Sequence, residues 1–600
     1  MVHQDTEESG PWTPGITSEM PAELRPWVTL LRPENTRTPI ATVLELQKLT
    51  ALPVGELVAL RPERLVLHEL LVRVTADFSV PDGSRIEDLG INFREIIRLL
   101  LGRYLAPRME GLRVSFEQTR GELERLIQSA WDEVTTGVTA SGSAVSPSRL
   151  SRLFQRPKDE RRPADKNTWG LEEIAACERR AAASGESRPI CAASYRSLAH
   201  VMSALFTVHG QPWGTRELIV SLATDLACNT YGSEMLGQLI EPLLRQAAHE
   251  QGYGLLPSQP HPVVINTKGP SASGKSTLRP LQKRLAGAVG LQWSDFALIS
   301  PDIWRKQLLD YASLGKAYKY SGALTSDELQ IVDQKLDRYM ALKQRRGAMS
   351  HLLIDRFRFD SFAADSAEAG SNLLTRFGHS VYLFFMITPP EQLVERAWKR
   401  GLEVGRYKAV DDTLAHGVEA YAGMPNVFFT WIRRSDKHIH FEFLDNSVRF
   451  GELPRTVAFG SNETIHVLDV SRLLDIERFG RVNIEAATPA SLYPDRSCLD
   501  PQHNLGFLKR CIGGFREVIF ADPARGQIYL RMVSGRPVLI DRELLARMTR
   551  SHDVRVSFEA IAPDALNGTV EAYKQAQYLR ELRARVDSPT IGAWGEEPSG

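Results

Sequence analysis

Apolar residues recur three to four apart through most of the first 255 positions, the spacing of helices with one buried face. FREIIRLLLGRYLA (Phe93 to Ala106), SFEQTRGELERLIQSAWDEV (Ser115 to Val134), ELIVSLATDLA (Glu217 to Ala227) and MLGQLIEPLLRQAAHEQ (Met235 to Gln251) follow it. A short apolar stretch from Leu65 to Val74 reads as helix or strand. Near residue 260 the pattern changes. Short apolar runs at Val263–Asn266, Phe296–Ile299, His351–Ile354, Val381–Ile387 and His438–Leu444 are separated by helix-length segments at 302–312, 326–346, 360–376 and 390–400. Strands alternating with helices predict an α/β core built on a parallel sheet with right-handed crossovers. Ligands on such sheets bind beyond the carboxyl ends of the strands. Past residue 505, strand candidates at Glu517–Phe520 and Gln527–Val533 predict a small α+β piece.

These changes divide the chain into a polar, disordered leader (1–22), a helical N-terminal domain (23–134), a linker (135–169), a helical lead-in (170–258), the α/β core (259–475) and a C-terminal α+β extension (476–600). The linker is rich in Ser, Gly, Pro and Arg, and residues 149–166 carry seven basic and three acidic side chains. A solvated linker is the plain reading of that run; an arm for nucleic acid is the other.

Composition narrows the classes. Hydrophobic residues make up 43% of the chain, enough to bury a core in most of it. The 73 basic and 73 acidic residues cancel, so the chain as a whole is no polyanion binder. Five scattered cysteines without a C-x-x-C argue against a disulfide framework or a zinc site and fit a reducing compartment. No apolar run approaches the ~20 residues that span a bilayer, and the start MVHQDTEESGPWTPG is not a secretory signal. A cytoplasmic chain without a membrane partner is expected; a polar leader also suits an exported effector.

The chemistry concentrates after the first core strand. Gly269, Pro270, Ser271, Ala272, Ser273, Gly274, Lys275 and Ser276 spell G-x-x-x-x-G-K-S between a strand and a helix beginning at Thr277. Backbone N–H groups curled in such a loop, with the positive end of the following helix, cradle the phosphates of a nucleotide. Lys275 reaches the outer phosphates and the Ser276 hydroxyl ligates Mg²⁺. After the second strand, Asp302 either caps a short helix or accepts the proton of an acceptor hydroxyl, and Arg305 one turn on holds an anionic group of the acceptor or orients Asp302. The third strand ends at Asp355, a carboxylate linked to magnesium or to the acceptor, or simply a strand-to-loop junction, and Arg358 beyond it is a candidate acceptor contact. Arg396 and Arg400 share a helical face, and Arg406 follows Gly405 in a lid-like segment. Each arginine is a solvated charge or part of a clamp that neutralises a transferring phosphoryl group. The fifth strand ends in Asp445-Asn446-Ser447, where Asn446 meets an adenine edge or merely makes a turn.

In order and spacing these motifs resemble the zeta-toxin family of P-loop kinases over about residues 260–470. The shared elements are G-x-x-x-x-G-K-S, I-x-x-D-x-x-R, an acidic strand end, E-R-x-x-x-R…G-R and a late D-N-S. The resemblance implies transfer of the γ-phosphate of ATP to a hydroxyl of a small acceptor of nucleotide-sugar or dinucleotide type. It implies Lys275 and Ser276 on nucleotide and Mg²⁺, Asp302 as base, Arg400 and Arg406 as the clamp, and a toxin or effector that depletes a metabolite. Asp355 stands where many relatives carry Glu, and Tyr311 to Glu328 is a long insertion beside the acceptor site. A polynucleotide end kinase and a non-catalytic nucleotide switch are the rival functions; a protein inhibitor is an open partner.

Overall fold

The computed structural model describes residues 10–137, 169–355, 374–567 and 589–595. The five expected core strands are β1 (Val263–Lys268), β2 (Phe296–Ile299), β3 (His351–Ile354), β4 (Ser380–Ile387) and β5 (His438–Asp445). They pair in parallel in the order β2-β3-β1-β4-β5. All but the first residue of β1 and of β4 are buried, as a strand covered on both faces requires. Their carboxyl ends lie along one edge, and the chain crosses from one side of β1 to the other between β3 and β4.

The sheet does not stop at the core. β6 (Arg455–Ser461), β7 (Thr464–Val467), β8 (Glu517–Ala521), β9 (Ile528–Val533) and β10 (Arg536–Ile540) continue it to ten strands. β5, β6 and β7 are antiparallel neighbours, β7 pairs parallel with β8, and β9 and β10 close the edge antiparallel. The C-terminal extension therefore shares one sheet with the core. β7 and β10 escape the hydropathy pattern for physical reasons. β7 alternates half-buried and buried residues over only four positions, and β10 carries Pro537 at a bulge on the outer edge, where a missing N–H is tolerated.

Helices before the sheet are α1 (Ile40–Thr50), α2 (Pro62–Asp77), α3 (Asp88–Leu99), α4 (Met109–Gly137), α5 (Leu171–Ser184), α6 (Pro189–His209), α7 (Arg216–Ala227) and α8 (Ser233–Gln251). The ambiguous stretch at Leu65 to Val74 is helical, inside α2. Fourteen of the sixteen α2 residues are buried, which marks it as the central helix of the group. It packs against α8, against β2 and against α10 (Ser321–Arg345) of the core. The remaining core helices are α9 (Arg279–Ala288), α11 (Pro390–Val404) and α12 (Val410–Ile432). No described helix is long and apolar enough to cross a membrane.

Three expectations differ from the structure. The helix expected over 302–312 is a 3-10 turn (Pro301–Trp304) and one α-turn (Arg305–Leu308), stopped where Leu309 turns extended. Residues 10–22, expected as disordered leader, are ordered: Trp12 packs with Val394 and Leu414, and the Lys319 ammonium donates to Pro14 O at 2.9 Å. Of the helix expected over 360–376, only Leu374–Phe377 is described, as a 3-10 turn. The basic run at 149–166 and Arg358 lie outside the described residues.

Candidate active site at the carboxyl edge of the sheet

β1 leads directly into the loop Gly269–Ser276. A Cβ on Gly269 would stand 2.8 Å from Met386 Cβ on β4, so only glycine lets the loop start this close to the neighbouring strand. Gly274 has φ +93, and a Cβ there would meet the Asn446 amide nitrogen at 2.3 Å. Between them Ala272 has φ +65, a left-handed conformation that costs a non-glycine residue about 1 kcal/mol. Strain of this kind persists where the surroundings fix the backbone and is concentrated at functional loops. The loop runs into a 3-10 turn (Lys275–Leu278) and then α9, with Pro280 in the first turn of the helix, where no N–H is needed.

Lys275 donates to Gly269 O at 3.1 Å and to Pro270 O at 2.8 Å. Burial pushes its ammonium down to about 8, partly offset by Asp355 and Asp302. The Ser276 hydroxyl donates to Asp355 Oδ2 at 2.6 Å, joining the loop to the end of β3. Arg279, at the start of α9, stands 3.9 Å from the same oxygen.

Asp302 follows β2 on the same edge. Arg305 Nε lies 3.1 Å from its Oδ1, and Arg406 forms a close ion pair with Oδ2. Burial opposes ionisation, but Arg406, Arg305 and Arg400 outweigh it and hold the carboxyl far below the usual range. The side chain is 45% exposed, so water screens these pairs and they orient the group more than they stabilise the fold. Arg305 is fixed in turn, because its Nη1 donates to Gly322 O and to Thr325 Oγ1, both at 2.7 Å. Arg400 is pushed down to about 9 by burial and by Arg406, and its Nε is buried without a hydrogen-bond partner. A buried guanidinium with an unmet donor beside two other arginines is suited to an anionic ligand.

Two residues of this edge are engaged within the protein. The Asn446 side chain is buried and donates to Ser273 O at 2.8 Å, which braces the loop. Arg396 is a brace: its guanidinium donates to Asn446 O at 2.6 Å and to Val448 O at 3.4 Å. Hydropathy gives no hint of either bond, since each joins positions at least fifty residues apart.

A further group adjoins Lys275 and Arg400. Lys408, Asp412 and His416 follow one another at four-residue spacing, a single helical face entering α12. Lys408 donates to His416 Nδ1, and Asp412 lies 3.6 Å from Lys408 and 3.1 Å from His416 Nε2. Burial, Arg400 and Lys275 push Lys408 down to about 7, against the pull of Asp412. The i, i+4 repeat was the available signal, and sequence reasoning passed it by.

Within one charge cluster, then, stand Lys275, Arg305, Arg400, Arg406 and Lys408 against Asp302, Asp355 and Asp412. Cations exceed carboxylates, which suits a polyphosphate. No cluster of three or more His, Cys, Asp or Glu side chains with metal-binding geometry occurs among the described residues. A magnesium ion here would be held by Ser276 and Asp355, with ligand oxygens and water completing the shell. Comparison of the chain with protein-family models, with curated proteins and with solved structures returned no match.

Proposed function

We propose that the protein is an ATP- and Mg²⁺-dependent kinase with a P-loop core, which transfers the γ-phosphoryl group to a hydroxyl of a small acceptor. One observation carries the reading. The strained, glycine-bounded loop bearing Lys275 is tied through Ser276 to Asp355, and Asp302 stands on the same strand edge among three arginines.

The residues divide the task. The loop backbone and Lys275 hold the β- and γ-phosphates. Ser276 and Asp355 would hold a magnesium ion, which would supply positive charge against the charge that develops on the phosphates. Asp302 takes the proton of the acceptor hydroxyl as that oxygen bonds to the γ-phosphorus. The bond from the γ-phosphorus to the β–γ bridging oxygen breaks, and ADP leaves. Such transfer needs alignment and charge neutralisation more than covalent help.

The ion pairs of Asp302 give the step an order. While Arg305 and Arg406 both face it, the carboxylate is a poor proton acceptor. A phosphoryl group in this charge cluster competes for Arg406 and Arg400, and its approach frees the carboxylate for the hydroxyl. Incubation with γ-labelled ATP and a metabolite extract tests the reading. A labelled acceptor with the wild-type protein, and none with Lys275→Ala or Asp302→Asn, supports it. ATP binding without any transferred label would favour the nucleotide switch, and label on oligonucleotide 5′ ends the end kinase.

A further inference from the structure

Asp302 sits on a segment that cannot hold its own shape. Residues 301–308 form a 3-10 turn and a single α-turn, far below the length at which a helix is stable alone. Their conformation is set by whatever grips them, and two of the grips come from the N-terminal helical region. The Trp304 indole N–H, fully buried, donates to Thr75 Oγ1 on α2 at 3.1 Å. Arg64, also on α2, donates through Nη2 to Leu308 O at 2.7 Å and to Glu328 Oε2 at 2.7 Å. Glu328 lies one turn along α10 from Thr325, which receives Arg305. The segment is thus held at Trp304 and Leu308 from α2 and at Arg305 from α10, and all of these anchor groups except Arg305 are buried.

We infer that α2 is a positioning element for Asp302: Thr75 and Arg64, together with Thr325 on α10, fix the carboxylate at the strand edge while touching neither nucleotide nor acceptor. The N-terminal helical region is then a working part of the acceptor side of the site, which a core of 259–475 alone would lack. The inference rests on the proposed role of Asp302. It follows from the geometry that a displacement of the segment after β2 misplaces the carboxylate while the phosphate loop, which follows β1 on the far side of β3, stays as it is. A displacement of about 1 Å at a reacting group is enough to cost up to a hundredfold in rate.

The test uses the full chain with Thr75→Val and Thr325→Val, which remove a hydroxyl and keep the volume, and Thr325→Ser, which keeps the hydroxyl. Three quantities are compared: amide exchange over 300–308 and over 263–278, affinity for ATP with Mg²⁺, and release of labelled phosphate from ATP with water as acceptor. Both valine variants are expected to exchange faster over 300–308 alone, to bind ATP as the wild type does, and to release phosphate about tenfold more slowly. Thr325→Ser is expected to restore the rate. Wild-type exchange and rate in both valine variants would overturn the inference. So would a parallel loss of ATP affinity, rate and melting temperature, the mark of a merely structural role. A wild-type protein that labels no acceptor and releases no phosphate would overturn the kinase reading alone, because the exchange comparison still decides whether these threonines hold the segment.

Discussion

The Ser276 hydroxyl donates to the Asp355 carboxylate across 2.6 Å, so the end of β3 and the loop Gly269–Ser276 are joined by one hydrogen bond. The bond pre-sets two oxygens on the same side of the loop, the side on which a magnesium ion would meet the phosphates. Ser276→Ala and Asp355→Asn are therefore expected to raise the Mg²⁺ concentration needed for half-maximal ATP binding by about tenfold, some 1.4 kcal/mol. Binding of ATP in the presence of EDTA should change much less. A titration of Mg²⁺ followed by calorimetry checks this.

Arg406 pairs with Asp302 and stands beside Arg400. If it moves onto the phosphoryl group during transfer, its loss removes charge stabilisation needed only in the transition state. Arg406→Ala is expected to lower kcat by about 10²–10³ while leaving the KM for ATP within a few-fold. Steady-state kinetics with the acceptor that the labelling experiment yields, or phosphate release to water, measures it. A rise in KM at unchanged kcat would assign Arg406 to ground-state binding.

Lys335 of α10 is buried and donates to Ser233 Oγ at 2.6 Å, with His68 Nδ1 at 3.3 Å. Burial pushes its ammonium down to about 7 from 10.5, against the opposing pull of Glu69. The folded protein therefore binds this proton less tightly than the unfolded chain. Between pH 7 and about 10.5 unfolding takes up a proton, so the Lys335 contribution raises stability with pH across that window, by at most about 1.4 kcal/mol per unit. The handicap is fully present below pH 7. Urea unfolding at several pH values should show the slope, and Lys335→Met should flatten it.

Glu442 on β5 accepts from Thr456 Oγ1 at 2.6 Å, from Ile591 N at 2.8 Å and from Gly592 N at 3.0 Å, docking residues 589–595 onto the sheet. A Cβ on Gly592 would stand 2.6 Å from both Leu444 Cδ2 and Thr456 Oγ1. Gly592→Val is expected to lose that docking at a cost of about 1–3 kcal/mol. Amide exchange over 589–595 should rise while exchange at the loop Gly269–Ser276 stays unchanged.

What could be read in advance follows from how locally each feature is encoded. β2, β3 and β4 stand out because a strand covered on both faces reads as a nearly continuous apolar run, and β2 and β3 begin and end where their runs do. The loop at Gly269 is equally local, eight residues with backbone demands of their own. The parallel pairing of β7 with β8 joins positions some fifty residues apart and leaves no periodic trace. The anchoring of Trp304 by Thr75 spans 229 residues, and Thr75 is an ordinary helix residue until the partner is known. Asn446 was visible as a polar strand end. Its work beneath Ser273 follows only from the fold.

The central claim is that a nucleotide's phosphates lie in the bend Gly269–Ser276 with Asp302 facing them. A crystal structure of the full chain with Mg²⁺ and a non-hydrolysable ATP analogue tests it most directly. The account predicts β- and γ-phosphates ringed by the loop's N–H groups and Lys275, the metal on Ser276, and Arg406 drawn from Asp302 towards the γ-phosphate. An analogue bound elsewhere, or a loop still closed on Lys275 at saturating analogue, would contradict it.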